Sequence, residues 1–141
     1  MESMSGKIAK LAILSSVAAV VAGSSIAYAQ GLSSRVLSSL DSGMWDLRTK
    51  GSGSSRALSS KICVGPKQRL VQIQHGNTAC SQRVVSEQGN RVTISYNCRG
   101  HGQGVTTIRK ETNGLVQISS QGIRDGSPFN FKVEARHIGG C

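Results

Sequence analysis

The four cysteines of this chain all lie after a segment with the properties of an export signal. They are Cys63, Cys80, Cys98 and Cys141 in a sequence of 141 residues. An even number of cysteines in an exported chain is typical of a small domain held together by disulfide bonds, because the destination is oxidising. The sequence therefore constrains compartment and architecture first, and it carries no motif that specifies a reaction.

The N-terminal segment, residues 1–29, has the three zones of a cleavable signal peptide. Two lysines supply positive charge, an apolar run spans 11–22, and the small residues of Ala27-Tyr28-Ala29 precede the expected cut before Gln30. The alternative is an uncleaved membrane anchor, but crossing the hydrocarbon core takes about 20 apolar residues. We therefore expect cleavage, a periplasmic or secreted protein, and no transmembrane span in the mature chain.

The chain is strongly basic, with 17 Lys and Arg against 7 Asp and Glu and a net charge of +10. Such a balance favours anionic partners, such as an anionic component of the cell envelope. The candidate anion contacts are Arg48, Lys50, Arg56, Lys61, Arg109 and Lys110. The alternative is a solvated cationic surface without a dedicated site. Aromatic residues do not alternate with these cations, so nucleic acid is not the expected partner.

Alternation of apolar and polar residues with a period of two runs through the chain from Gly43 onward. The clearest example is 129–136, which predicts an antiparallel strand with one face on a core. Together the candidate strands are 43–49, 57–64, 80–87, 91–98, 105–110, 115–122 and 129–136. We expect a mainly β fold, an antiparallel meander of about seven strands that forms an open or closed barrel-like sheet.

Two segments have the apolar spacing of short helices. One lies between Gly31 and Asp41, and the other begins at Pro66, which suits the first position of a helix. Each is about two turns long, so each needs packing against the rest of the fold to persist. The expected organisation is a signal peptide at 1–29, a short amphipathic helix and linker at 30–42, and a single β domain at 43–141.

The register of one hairpin predicts the disulfide pairing. If 80–87 and 91–98 form a hairpin closed by Gln88, Gly89 and Asn90, then Glu87 faces Arg91, Val84 faces Ile94 and Cys80 faces Cys98. Opposed Cβ atoms are about 4.5–5.5 Å apart, close to disulfide reach. Cys63 then pairs with Cys141 by elimination. Zinc is the rival, since Cys98 and His101 have ligand-like spacing, but the other cysteines have no close Cys or His partner.

Residues for catalysis are sparse and scattered. His75, His101 and His137 are isolated in the sequence, and a lone histidine is more often an exposed polar side chain than a general base. Acidic residues are few, and neither a nucleophile elbow nor a glycine-rich phosphate loop is present. We therefore predict a protein that is not an enzyme, with no catalytic residue, no metal and no cofactor.

Trp45 is the only tryptophan, and it lies in Gly43-Met44-Trp45 on the first predicted strand. In a small domain such a residue is expected to fill the core. A short helix followed by Gly-x-Trp on the first strand also resembles the opening of the lipocalins. That resemblance implies a barrel that carries an apolar ligand, with Trp45 near its cavity.

A second resemblance covers nearly the whole mature chain. The Gly-x-Trp strand, a cysteine before a short helix (Cys63), a cysteine pair flanking a hairpin (Cys80 and Cys98), a glycine-rich hairpin series over 102–122 and the final Gly139-Gly140-Cys141 follow one another in order. This pattern resembles a family of small exported bacterial proteins catalogued as a domain of unknown function. The resemblance implies a periplasmic address and a β-rich fold, and it implies no activity.

Together these features predict a non-enzymatic exported protein that binds a ligand or associates with the envelope. An anionic envelope component is the first candidate partner. The alternatives are a lipocalin-like carrier of a small apolar ligand and an interaction partner or inhibitor of another exported protein, such as a hydrolase.

Overall fold

The computed structural model describes residues 32–49 and 59–141. The expected signal peptide and the candidate cations Lys50 and Arg56 lie outside these described residues. In chain order the elements are α1 (Arg35–Ser38), β1 (Gly43–Thr49), β2 (Ser59–Val64), α2 (Gln68–Val71), a 3₁₀ turn (Ile73–His75), β3 (Ser81–Gln88), β4 (Arg91–Cys98), β5 (Gly102–Thr112), β6 (Leu115–Arg124) and β7 (Ser127–Gly139).

The described strands form one antiparallel sheet of seven strands, in the order β2-β1-β7-β6-β5-β4-β3. Strands β3 to β7 are a meander in which each strand pairs with the next along the chain. Strand β1 joins this meander by pairing with β7. The sheet is open, with β2 and β3 at its edges, and the expected mainly β meander is confirmed.

The two faces of the sheet differ in composition. The inner face carries the apolar set, because alternate residues of each strand point to the same side. Its fully buried members include Trp45, Val64, Val92, Ile94, Ile108, Val116 and Ala135. The outer face carries mainly Ser, Thr, Asn, Gln and charged side chains, which the alternation placed opposite the core.

Both short helices pack on the inner face. Leu37 of α1 and Leu70 of α2 are buried in the same cluster as the sheet residues. The hydroxyl of Thr106 on β5 donates a hydrogen bond to the carbonyl oxygen of Val71 at 2.6 Å, which fixes the end of α2. Each helix has only four residues, and α2 begins at Gln68 rather than at Pro66. None of the helices described here is long and apolar enough to span a membrane.

The β3–β4 hairpin has the predicted register only in its open half. Val84 lies opposite Ile94 as expected, but a bulge at Val85 shifts the pairs that follow. Glu87 therefore lies opposite Val92, and the prediction that it faces Arg91 is wrong. The loop has two residues rather than three, and Gly89 adopts a φ of 56°, as the first position of a tight hairpin turn requires.

Two disulfides connect the described cysteines, in the pairing that the register and elimination indicated. Cys80 is bonded to Cys98, with Cα atoms 4.1 Å apart, and closes the open end of the β3–β4 hairpin. Cys63 is bonded to Cys141, with Cα atoms 5.7 Å apart, and joins the end of β7 to β2. The sulfur of Cys98 is therefore part of a disulfide rather than a thiolate available to zinc.

Candidate functional site

The four candidate cations within the described residues do not come together in one site. Arg48 on β1 forms an ion pair with Asp46 at 2.9 Å. Lys61 on β2 lies opposite Asp46 in the strand pairing. Arg109 is on β5, several strands away, where it pairs with Glu111 at 2.7 Å. These three residues share the outer face but not a common position on it.

Lys110 points to the inner face instead. Its ammonium donates hydrogen bonds to the hydroxyl of Ser39 at 2.8 Å and to the side-chain oxygen of Asn113 at 3.4 Å. These bonds join α1 to the β5–β6 turn. Lys110 therefore stabilises the packing of α1 on the sheet, whereas its neighbour Arg109 lies on the outer face.

Trp45 is a core residue. It is fully buried, its indole nitrogen donates a hydrogen bond to the carbonyl oxygen of Asp41 at 3.1 Å, and its ring meets the His137 ring edge-on at 5.8 Å. The two depressions described below do not include it. The core interpretation of Trp45 fits this position, and the open sheet differs from the closed barrel of a lipocalin.

Two of the histidines, His75 and His101, are neighbours, and His137 binds elsewhere. His75 is buried, and its Nε2 lies 3.1 Å from the carbonyl oxygen of His101, to which it donates in the matching tautomer. The His101 ring lies 3.2 Å from the Asp125 carboxylate on exposed turns, and the His137 Nε2 lies 3.0 Å from the carbonyl oxygen of Ser42. Over the ranges that the structure describes, no group of three or more His, Cys, Asp or Glu is arranged to hold a metal.

The outer face carries a depression of about 840 Å³ that crosses β3 to β7. We call it the outer depression. Its floor is a row of register partners: Gln82, Tyr96, Gly104, Gly122 and Phe129. Two rows of outer-facing residues flank that floor, namely Ser81, Asn97, Gln103 and Ile123 on one side and Arg83, Ser95, Val105, Gln121 and Asn130 on the other.

Two glycines form the centre of this floor. Gly104 and Gly122 lie opposite each other, and the rings of Tyr96 and Phe129 lie over them on the inner face. A Cβ at position 104 would come within 2.6 Å of the Tyr96 ring, and one at position 122 within 2.9 Å of the Phe129 ring. Glycine allows this close approach. The floor therefore presents main chain to the outer side and aromatic packing to the core.

Arg83 is the only ionised side chain in the lining of the outer depression, which contains no carboxylate. No ion-pair partner for its guanidinium is found within residues 32–49 and 59–141. Two aliphatic side chains lie near the middle of the depression and remain accessible, Val105 at 40% and Ile123 at 45%. The site thus combines one free positive charge, exposed aliphatic surface and uncharged polar groups.

A second depression of about 500 Å³ lies between α1 and α2. Lys67, in its lining, donates a hydrogen bond to the Ser42 hydroxyl at 2.6 Å. Burial lowers the pKa of Lys67, and the Asp41 carboxylate acts in the opposite direction. The lining of this second depression begins at Leu32, the first described residue, so the depression borders residues that the structure does not describe. We therefore take the outer depression as the candidate site.

Sequence reasoning missed the outer depression. Its residues are on the polar face, where Ser, Asn and Gln are expected, and none of the four candidate cations that the structure describes lines it. One signal was present: Val105 and Ile123 fall at outer-facing positions of their strands, where a polar residue is typical. Exposed aliphatic residues next to strand glycines are typical of a surface that binds a ligand or partner.

The fold and site define a small disulfide-bonded β protein with one open sheet and a depression on its solvent-facing side. Residues 40–141 match the model of a family described as a protein of unknown function (DUF3617), and the chain belongs to that family, as the order of its motifs indicated. The comparisons do not show a relationship to the lipocalins. No curated protein and no solved structure matches the chain.

Proposed function

We propose that this protein is an exported, non-enzymatic binding protein that holds an anionic ligand in the outer depression. The observation that carries the proposal is the depression itself, because its volume of about 840 Å³ lies in the range of small-molecule sites, about 300–1,000 Å³. The guanidinium of Arg83, which has no ion-pair partner among the described residues, lies in a lining without carboxylates and favours a negatively charged ligand.

Export is supported by the signal-like segment and by both disulfides. Mass spectrometry of the protein isolated from the periplasm tests it. We expect a chain that begins at Gln30 and is four mass units lighter than its fully reduced form, since each disulfide removes two hydrogens. An intact N terminus, or four free thiols, would contradict export with oxidation.

A non-enzymatic role is supported by how the histidine side chains are used. His75 and His137 bind main-chain carbonyl oxygens of His101 and Ser42, and His101 lies beside Asp125 in a turn. These contacts stabilise the fold at two places, one around residue 101 and the other at Ser42. A general base, in contrast, needs to be within hydrogen-bond reach of a reacting group in a shared site.

Amide-resolved NMR titration of the mature protein tests the binding proposal. The anionic probes are trigalacturonate, laurate and phosphatidylglycerol vesicles. We expect at least one of them to shift or broaden the amide signals of Gln103 and Gln121 at low salt, and the effect to weaken as salt rises, because the attraction is screened. If none of the three affects these signals, the proposal is wrong.

Two arginine variants locate the charge contact. Arg83→Gln removes the free guanidinium from the depression, so we expect about tenfold weaker binding of the active probe. Arg109→Gln is the matched control on the same face, where the native guanidinium is already paired with Glu111. If Arg109→Gln has the larger effect, the anion binds at the sequence-predicted cations rather than in the depression.

A further inference from the structure

We infer that the ligand of the outer depression is an acidic oligosaccharide that lies across the strands. This inference rests on the proposed function and names the chemical class of its ligand. It depends on the shape of the depression, the hydrogen-bonding groups of its walls, and the positions of its aliphatic and cationic side chains.

The depression is elongated. It extends over five neighbouring strands, and strands in a sheet are about 4.8 Å apart, so it is about 19 Å long across the strands. At the centre, positions 104 and 122 face inward, so a ligand on the outer side meets the main chain of Gly104 and Gly122. A short chain of sugar rings has this extended form, whereas a compact ion occupies only one end.

The walls consist mainly of uncharged groups that both donate and accept hydrogen bonds. Four primary amides and two hydroxyls line them: Asn97, Gln103, Gln121, Asn130, Ser81 and Ser95. Asn97 donates to the side-chain oxygen of Gln103 at 3.3 Å, and this bond uses only part of the hydrogen-bonding capacity of the two amides. Sugar hydroxyls also donate and accept, so they match such walls.

The aliphatic residues favour a sugar over an acyl chain. Val105 and Ile123 are diagonal neighbours on β5 and β6, and they offer a small apolar contact amid polar groups. The C–H face of a sugar ring fits a contact of this size. An acyl chain lying along the depression would instead cover the amides and leave them without hydrogen-bond partners, which is costly.

Arg83 places the negative charge of the ligand. It belongs to β3, the edge strand, so its guanidinium lies at one end of the depression rather than at the centre. A guanidinium binds a carboxylate through two parallel hydrogen bonds. The expected ligand therefore has a uronate-type carboxylate on the sugar ring nearest β3.

Trigalacturonate and its fully methyl-esterified form test this assignment by NMR titration. The ester keeps the sugar hydroxyls and loses the charges, so we expect it to bind about tenfold more weakly. Gln103→Leu and Gln121→Leu are expected to weaken trigalacturonate binding several-fold. Ser119→Ala is the matched control, because Ser119 is exposed outside the depression.

The outcomes separate the ligand class from the proposed function. If laurate or phosphatidylglycerol vesicles act on the Gln103 and Gln121 signals and trigalacturonate does not, the oligosaccharide assignment is wrong while the anionic binding site stands. If the ester binds as tightly as trigalacturonate, the carboxylate contact to Arg83 is wrong. If no probe acts there, both proposals fail.

Discussion

Gly122, in the floor of the outer depression, is a residue at which the pairing of β5 with β6 requires the absence of a side chain. A Cβ at this position would overlap the main-chain oxygen of Gln103 and lie 2.6 Å from the Cα of Gly104. Main-chain atoms in paired strands cannot move aside without disturbing the pairing. The β5–β6 pairing that forms the floor of the depression therefore requires glycine at this position.

The substitution Gly122→Ala tests this requirement. We expect it to lower the free energy of unfolding by about 1–3 kcal/mol, as overpacking does. Gly65→Ala is the control, because a Cβ at Gly65 would meet nothing within 4 Å, and its cost is expected to stay within about 0.5 kcal/mol. Urea unfolding measures both, and equal stabilities of the two variants would show that the sheet adapts at Gly122.

Tyr96 makes the stability of the folded protein depend on pH in the alkaline range. Burial raises the pKa of Tyr96 above its ordinary value of 10.0, with the Ser120 side chain acting in the opposite direction. The folded state therefore keeps the phenol proton at a pH where the unfolded chain loses it. This contribution to stability is complete below about pH 10 and decreases as the pH rises above that value.

We expect Tyr96→Phe to lose less stability than the parent protein between about pH 9 and pH 11. Urea unfolding of both proteins across this interval measures the difference in slope, and lysine titration affects both equally. Parallel curves would mean that the phenol of Tyr96 ionises as freely in the folded protein as in the unfolded chain.

Trp45 serves as a reporter because it is the only tryptophan in the sequence. It lies in the core on β1, while the outer depression spans β3 to β7. We expect its fluorescence to shift to longer wavelength on unfolding and to stay unchanged when trigalacturonate saturates the protein. A change caused by the ligand would place the binding site near Trp45, as a lipocalin-like carrier requires.

At the scale of the elements, the β3–β4 hairpin shows how far sequence patterns reach. The alternation of residues and the cysteine positions predicted the pairing of Val84 with Ile94 and of Cys80 with Cys98. The bulge at Val85 was not predictable from the alternation of residues, which does not show where one extra residue enters a strand. It lets the Glu87 carboxylate reach the N–H of Val36 in α1, at 3.0 Å.

The two short helices show what the sequence pattern did not predict, namely where each helix begins and ends. Their apolar residues were predicted to be buried, and Leu37 and Leu70 are. Their lengths were overestimated, because the apolar spacing of a helix continues through turns that pack on the same core. The sheet, rather than helix propensity, decides where such short helices end.

The two disulfides are expected to differ in their contribution to stability. Cys63–Cys141 spans 78 residues and Cys80–Cys98 spans 18. The loop-closure model gives about 4.5 kcal/mol for the longer loop and about 3 kcal/mol for the shorter. Urea unfolding of the variants Cys63→Ala/Cys141→Ala and Cys80→Ala/Cys98→Ala measures both losses. A larger loss in the second variant would show that the packing of Cys98 outweighs loop closure.

At the scale of the whole molecule, the sequence predicted the sheet and its apolar face but not the candidate site. The sheet follows from local alternation, which any strand displays. The outer depression arises from three residues on each of several strands, and only the register brings them together. Charge led to Arg109, which is paired with Glu111, whereas the cation that lines the depression is Arg83, whose guanidinium has no ion-pair partner within the described part of the chain.

The position of β1 beside β7 has a consequence for folding. Strands β3 to β7 are joined by short turns, whereas β1 reaches β7 across nearly the whole described chain. Closing so long a loop is slow, so the meander is expected to assemble first and the β1–β2 hairpin to dock last. Pulsed hydrogen exchange should protect β5 before β1. Until docking, the bare edge of β7 is open to strands of other molecules, and refolding competes there with aggregation.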